Sequence, residues 1–252
     1  MICTGLHNQD HDMKASEMRI ADPSALRVAD EGDILKERLP LPGAKVLELG
    51  CGKAEKTRLV AQTTASVLAL EVDATQLAEN QAAEKPGNVQ FAFGGAENIP
   101  TDDSSVDIVL MFKSLHHVPI ERMDDTFSEI RRVLKPGGLA YISEPVYAGD
   151  FNEILRLFHD EKVVREAAFA AEVRAISAQR LSLVSQTFFL QPMHFDDFGQ
   201  FENRILKVTH TEHRLSPALY EAVRSGFNRH MSPNGATFHM PIRVDLFRKD
   251  GP

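Results

Sequence analysis

Cysteine is nearly absent: Cys3 and Cys51 are the only two in 252 residues. They lie far apart, and Cys51 falls inside a glycine turn, so no structural disulfide is expected and the sequence suits a reducing compartment, the cytoplasm. Long apolar runs are missing as well. No window reaches the ~18 uninterrupted apolar residues of a membrane span, so no membrane association is expected. The opening stretch, MICTGLHNQDHDMKASEMRI, is polar with mixed charge, unlike the apolar core of a secretory signal or an Arg-rich transit peptide. A basic excess is lacking too. The formal net charge is −8, with 15 basic against 23 acidic residues through Pro145 and 13 against 13 from Val146 onward. A protein that wraps a nucleic-acid backbone presents a basic face, so no nucleic-acid partner is expected. No group of His, Cys and acidic residues has zinc-like spacing, and no metal is expected.

What is present is the rhythm of an α/β protein. Short β-rich runs occur at Lys45–Leu49, Ser66–Val72, Val89–Phe93, Val106–Phe112 and Leu139–Ser143. Between them lie helical stretches: Asp22–Leu39 ahead of the first strand, then Lys53–Thr64, Thr75–Lys85 and Glu121–Leu134. The last has Met123, Phe127, Ile130 and Leu134 on one stripe and stops at Lys135-Pro136-Gly137-Gly138. Strand–helix alternation implies right-handed crossovers and a parallel sheet covered on both faces, with ligands at the carboxyl ends of the strands. After Pro145 the pattern changes. Asp150–Leu183, rich in Ala, Leu, Glu and Arg, predicts one or two helices. Ser216 with Pro217 predicts the start of another. Gly235–Lys249 alternates as a final strand, and Ile205–Thr211 is a further strand candidate.

The glycine turn carries the chemistry. Val46–Leu49 runs into Gly50-Cys51-Gly52-Lys53-Ala54-Glu55, a strand breaking into glycines before a helix, which lets a ligand approach the backbone. The third glycine of a dinucleotide fingerprint is missing, with Glu55 in its place. An acidic residue there is unfavourable beside a pyrophosphate. Glu48, two residues before Gly50, is better matched to a ligand bearing a positive group. About 20 residues on, Glu71 stands where an acidic side chain takes both ribose hydroxyls. A ribose, a cationic group and no demand for phosphate binding together fit S-adenosylmethionine (SAM).

Three segments extend this reading: the strand and turn just described, Phe93–Val118 (FGGAENIPTDDSSVDIVLMFKSLHHV) and Glu129–Pro145 (EIRRVLKPGGLAYISEP). Together they resemble the class I SAM-dependent methyltransferases, in particular the branch with quinone-biosynthesis and natural-product enzymes, over roughly Leu39 to Pro145. The resemblance implies a Rossmann-like, doubly wound, mostly parallel seven-stranded sheet with a helical cap or lid inserted after the fifth strand. The expected domains are an N-terminal helical cover (1–40), the SAM-binding core (41–148), the cap (149–195) and a C-terminal completion of the sheet (196–252). It also implies roles. Glu48, Gly50, Cys51 and Gly52 line the methionine moiety, Glu71 binds the ribose, and Val72 packs on the adenine. Ala96 and Glu97 sit at the adenine edge, and Lys113 and Ser114 pass the methionine tail. Two positions depart from the family. Gly95 stands where relatives carry an Asp that accepts from the adenine amino group, which leaves adenine recognition to backbone groups near Ala96. Lys113 puts a cation in a loop of usually small or apolar residues, within reach of the SAM carboxylate or an acidic substrate.

The catalytic candidates are His116, His117 and Tyr147. A His near the methyl has a suitable pKa for a base. As adjacent residues, the two His are expected to point apart and not to chelate one ion. Glu144 and Tyr147 follow the fifth strand and should face the transfer region. Asp73 is read as a helix cap, and Arg243 and Lys207 as surface residues with anchoring of a carboxylate substrate as the alternative. His159, His194, His210, His213, His230 and His239 are scattered and read as structural or solvated. The function expected is in-line methyl transfer to a small-molecule acceptor. The alternatives are a SAM-consuming enzyme that releases methylthioadenosine, by aminocarboxypropyl transfer or ring closure, and a SAM-binding protein without catalysis.

Overall fold

The computed structural model describes residues 13–207 and 215–251. Five parallel strands, β1 (Lys45–Leu49), β2 (Ser66–Glu71), β3 (Val89–Phe93), β4 (Val106–Phe112) and β5 (Leu134–Pro145), form most of one sheet. Two long strands complete it, β6 (Ser182–Phe195) and β8 (Gly235–Arg248), and the two-residue β7 (Met231–Ser232) pairs with β8. The order is β3-β2-β1-β4-β5-β8-β6, and β8 runs antiparallel to both its neighbours. The chain winds to one side from β1 through β3 and to the other from β4 onward. The carboxyl ends of the adjacent β1 and β4 therefore form the crevice where doubly wound sheets bind ligands.

Local sequence explains the crossover helices. Asp73 caps α3 (Ala74–Ala82) by accepting from Thr75 N and Gln76 N, and Asp30 caps α1 (Glu31–Arg38). The helix before β1 is thus eight residues, not the whole of Asp22–Leu39. An Asp at position 30 binds the first-turn amides from an extended backbone and starts the helix there. In α2 (Glu55–Val60) the entry residue Ala54 is left-handed, with φ 58°. α4 (Met123–Val133) buries Met123, Phe127 and Ile130 against the sheet, as its stripe predicts. Ser216 caps α8 (Pro217–Asn228), with Pro217 at its first turn.

The region after β5 differs from a lid. α5 (Asp150–Leu155) and α6 (Lys162–Ser177) are helical as expected, but Ala168, Ala171 and Ala175 of α6 are buried in the same core as Phe127 and Ile130 of α4. Small residues at this spacing line one helix face and let it approach its neighbour closely. α6 therefore packs into the core beside α4. Ser182–Phe195, assigned to the cap on sequence, is instead β6, paired with β8 along nearly its whole length. Within the stretch assigned to sheet completion, the described residues include helices: α7 (Phe198–Phe201), a π-helical turn (Glu202–Leu206) and α8. These pack on α5 around Phe151, Phe195, Phe201, Phe227 and Phe238. Ile205 and Leu206 lie in that π-helical turn, and the rest of the Ile205–Thr211 strand candidate, from 208 on, lies outside the described residues. So do Cys3, His210 and His213. Among the described residues no helix is long and apolar enough to cross a membrane.

Arg243 corrects its surface reading. On β8 it is 2% exposed, and its guanidinium pairs with Glu172 of α6 at 2.6 Å and with Asp245. Gln186 of β6 donates to Asp245 at 2.6 Å and to the carbonyl of Arg19. This buried polar group joins β8, α6, β6 and the N-terminal segment. Lys207 is exposed, as expected, and pairs with Glu202.

Candidate active site

At the end of β1 the chain turns through Gly50 (φ 73°) and Gly52 (φ 50°). A Cβ on Gly50 would stand 2.8 Å from the Ser114 Cβ, so the loop after β4 sits directly on the turn, and only glycine accepts both the backbone angle and the contact. Ser114 fastens it, donating to the Leu49 carbonyl at 2.8 Å. The amides of the turn are already engaged. Gly50 N and Cys51 N donate to the Leu70 carbonyl, both at 3.0 Å, and Gly52 N donates to Glu71 at 2.8 Å. With a carboxylate taking the Gly52 amide, a diphosphate brought to the turn would meet a negative charge there.

Two carboxylates flank this turn. Glu71 is held by Gly52 N and by Val72 N and Asp73 N, both at 2.9 Å, which leaves acceptor capacity on its oxygens for a ligand's hydroxyls. Glu48 is 2% exposed and accepts from Thr57 Oγ1 at 2.6 Å. Burial, partly offset by Thr57, pushes its pKa up to about 7. A neighbouring cation would be needed to hold it ionised. Burial likewise pushes the Cys51 thiol up to about 12, so Cys51 shapes the turn and is no nucleophile.

Apolar surface is left open beside these carboxylates. Val72 is 60% exposed and Phe93 64% exposed, at the carboxyl ends of β2 and β3. Large apolar side chains exposed at a sheet's ligand-binding edge mark a planar ligand's contact surface. Phe93 was not among the sequence candidates; its signal was an apolar residue at a strand end directly before Gly94-Gly95. Ala96 turns inward and is buried beside Ile99. Glu97 folds back instead: a Cβ on Gly95 would lie 2.6–2.9 Å from its carboxylate atoms. The space a side chain at position 95 would take is thus filled by the Glu97 carboxylate, so this edge does not rely on backbone groups alone.

The remaining sequence candidates stand differently from expectation. Lys113 is left-handed (φ 54°), and its ammonium turns to Glu31 at 3.0 Å and Gln191 at 3.2 Å. Glu31, fully buried at the start of α1, also accepts from Ser143 Oγ. Lys113 thus ties α1 and β6 across the strand ends rather than reaching for a ligand carboxylate. The Tyr147 hydroxyl lies by Asp160 and helps hold its carboxyl below the ordinary range, at the edge of the helical wall. His116 is buried, with Nδ1 on Glu144 and Nε2 facing Glu161 at 3.6 Å. Burial opposes its charge, but Glu144 and Glu161 outweigh burial and raise its pKa to about 9. Flanked by two carboxylates and raised in this way, it is not a free general base. The pair does not point apart either: the His116 and His117 rings are 4.1 Å between centroids. They sit in a single 3-10 turn, Leu115–His117. Glu31, Glu161 and Arg165 had no signal in the sequence that set them apart from surface charges.

Two cavities flank the sheet. One of about 370 Å³ opens at its amino-terminal edge, near Lys45, Ser66 and Val89, away from the crevice. The other, about 190 Å³, lies past the carboxyl end of β5, between the segment Ala21–Leu26 and Val146, Phe188, Leu190 and Ile242. Its walls are mostly apolar.

A doubly wound sheet, an engaged glycine turn, two acidic strand ends and an open apolar edge define the core of a class I SAM-dependent methyltransferase. The two carboxylates suit a ribose and a cationic group better than a diphosphate. Residues 47–142 match the family model described as a methyltransferase domain. A sterol 24-C-methyltransferase from Gibberella zeae is 37% identical over 108 residues, which cover 41% of this chain and 28% of that protein. The methyltransferase GfsG from Streptomyces halstedii is 30% identical over 144 residues, 53% of this chain and 51% of its own. The matches therefore span about half or less of these curated relatives. The solved structure of the YcgJ protein from Bacillus subtilis shares the fold, with a TM-score of 0.59 over 88% of this chain and 98% of that one, at 16% identity. The segment 47–142 is a class I SAM-dependent methyltransferase domain, and SAM is the cofactor of that family.

Proposed function

We propose that this protein transfers the methyl group of SAM, in line from the sulfonium, to a small apolar acceptor. The observation that carries the reading is the pairing of Glu48 and Glu71 around a glycine turn whose Gly52 amide is held by Glu71, beside the open faces of Val72 and Phe93. In this reading Glu71 takes the ribose hydroxyls and Glu48 faces the methionine ammonium. Val72 and Phe93 flank the adenine, and Glu97 accepts from its amino group in place of a side chain at position 95. Gly50, Cys51, Gly52 and Ser114 shape the wall against the methionine tail.

SAM supplies an activated methyl, so the chain's contribution is to align the acceptor and exclude water. The cavity past β5 is the acceptor's place in this reading. Its apolar walls suit an apolar group, and at about 190 Å³ it would take only part of a molecule the size of the sterols that relatives such as the Gibberella zeae protein carry in their names. With His116 between carboxylates and the Tyr147 hydroxyl by Asp160, neither is assigned the role of base; positioning carries the reaction.

The test is to incubate the purified protein with SAM and an apolar metabolite extract and to identify the nucleoside product by mass spectrometry. S-adenosylhomocysteine formed only with the extract is the expected result. Methylthioadenosine would replace methyl transfer with use of the aminocarboxypropyl arm, and no product from any acceptor pool would contradict catalysis. A second expected outcome concerns the acceptor cavity. Leu190→Asp, which sets a charge on this half-buried wall, should raise KM for the acceptor at least about tenfold, since an apolar acceptor covering an unpaired charge costs well over 1.4 kcal/mol, and should leave SAM affinity unchanged. An equal loss of SAM affinity would remove the cavity from the acceptor's path.

A further inference from the structure

The loop after β4 and the start of α6 bring together a second constellation that the methyl-transfer reading does not use. His116, His117 and Glu161 each offer a ligand atom, and those atoms all lie within 4.8 Å of one another. The Nε2 of His116 and Oε1 of Glu161 are 3.6 Å apart. That is too long for a good hydrogen bond. It is close to the roughly 3.4 Å that separates two ligands sharing one tetrahedral ion at about 2.1 Å from each.

The surroundings have the form of a supporting shell. The other nitrogen of His116, Nδ1, is bonded to Glu144, whose second oxygen accepts from Leu115 N at 2.9 Å. A carboxylate behind a histidine fixes its ring and leaves Nε2 to face an ion. The second oxygen of Glu161 is taken by Arg165, which turns Oε1 toward the histidines. His159 Nε2 approaches that same Oε1 at 3.0 Å. His116 is buried and His117 is exposed, so one side of the group is enclosed and the other is open to entry.

We propose that His116, His117 and Glu161 bind one divalent transition-metal ion of the zinc type, with Glu144 orienting His116 from behind. Two imidazoles and one carboxylate suit such an ion and leave a position open, as in three-ligand zinc sites. The site stands on its own geometry, whatever the chain does with SAM.

The test uses tag-free full-length protein and Co²⁺ or Zn²⁺ alone as probe. Wild-type protein should take up one equivalent of Co²⁺ with the visible absorption of a tetrahedral N/O site, and Zn²⁺ should displace it. His117→Ala changes an exposed side chain and should abolish that spectrum while circular dichroism stays unchanged. Glu144→Gln should weaken Zn²⁺ binding roughly 10–100-fold, the usual cost of losing an orienting carboxylate. His194→Ala, on β6 outside the constellation, should have no effect. Absence of saturable Co²⁺ or Zn²⁺ uptake by the wild type would overturn the proposal. So would uptake that survives His117→Ala, which would put the ion on other histidines.

Discussion

Arg243→Met is expected to destabilise the protein by about 3–5 kcal/mol, the usual cost of removing one partner from a buried ion pair. That corresponds to roughly 6–20 °C in Tm for a chain of this size. The side chain carries a cation with almost no exposure, and without it Glu172 and Asp245 remain as buried carboxylates around an apolar replacement. The guanidinium also packs over Phe169, 4.7 Å from its ring centroid, so packing is lost together with charge. Burial already holds the Glu172 carboxyl well above its ordinary range, and loss of the cation pushes it further up. A carboxyl raised in the folded state favours folding at low pH and loses that contribution as pH rises. The deficit should therefore be larger at pH 8 than at pH 5. Adding Glu172→Leu should restore part of the loss, since it removes one of the two stranded carboxylates and leaves Asp245 buried with Gln186. Denaturant unfolding of the two variants at both pH values checks this, and a loss below about 1 kcal/mol would show the network to be dispensable.

Glu48→Gln is expected to raise the stability of the ligand-free protein while weakening SAM binding. The sign follows from the direction of its shift. With a folded pKa of about 7 against an ordinary 4.5, the folded state holds the proton more tightly than the unfolded chain. That contribution is complete below pH 4.5, is lost as pH rises toward 7, and is gone above it. The full window amounts to about 3 kcal/mol. At pH 8 the variant should be more stable than wild type by a sizeable part of this, and at pH 4 the two should agree. The effect on binding has the opposite sign. Wild-type affinity for SAM should increase as pH rises through 7, where Glu48 ionises and can face the ammonium, and the variant's affinity should be lower and flat over that range. A variant less stable than wild type at pH 8 would mean that Glu48 is comfortably ionised without a ligand.

The first four strands of the parallel half were legible almost to the residue, whereas β5 (Leu134–Pro145) extends past the Leu139–Ser143 run and takes in Lys135–Gly138, read as a helix stop. A run such as Val89–Phe93, bounded by Gly87-Asn88 and Gly94-Gly95, carries its limits in its own composition. So were Asp73 and Ser216 as caps, because capping is a local bond between a side chain and an amide two or three residues on. β6 was not legible in the same way. Ser182–Phe195 follows directly on a helix, carries Pro192, and becomes a strand through pairing with a partner some fifty residues later. The buried charges were hidden for a similar reason: Arg243 and Glu172 are 71 residues apart, and Lys113 and Glu31 are 82 apart. Nothing near any of them in sequence distinguishes a buried ion from a surface one. Glu48 and Glu71 could be read because the glycine turn between them announces a ligand. His116 and His117 were misread because the rule that neighbours point apart describes side-chain directions along a regular helix, and in this one-turn segment the two rings meet despite it.

The central claim, that the glycine turn with its two acidic strand ends is a SAM site, is tested most directly by calorimetric titration of SAM into wild-type, Glu71→Ala and Glu84→Ala protein. Glu84 is an exposed residue just after α3 and serves as the control. Wild type and Glu84→Ala should bind one SAM with equal affinity. Glu71→Ala should bind roughly 10–150-fold more weakly, the loss of about 1.5–3 kcal/mol that accompanies a hydrogen bond to a charged group. Wild-type protein that does not bind SAM, or equal affinity in all three, would contradict the account.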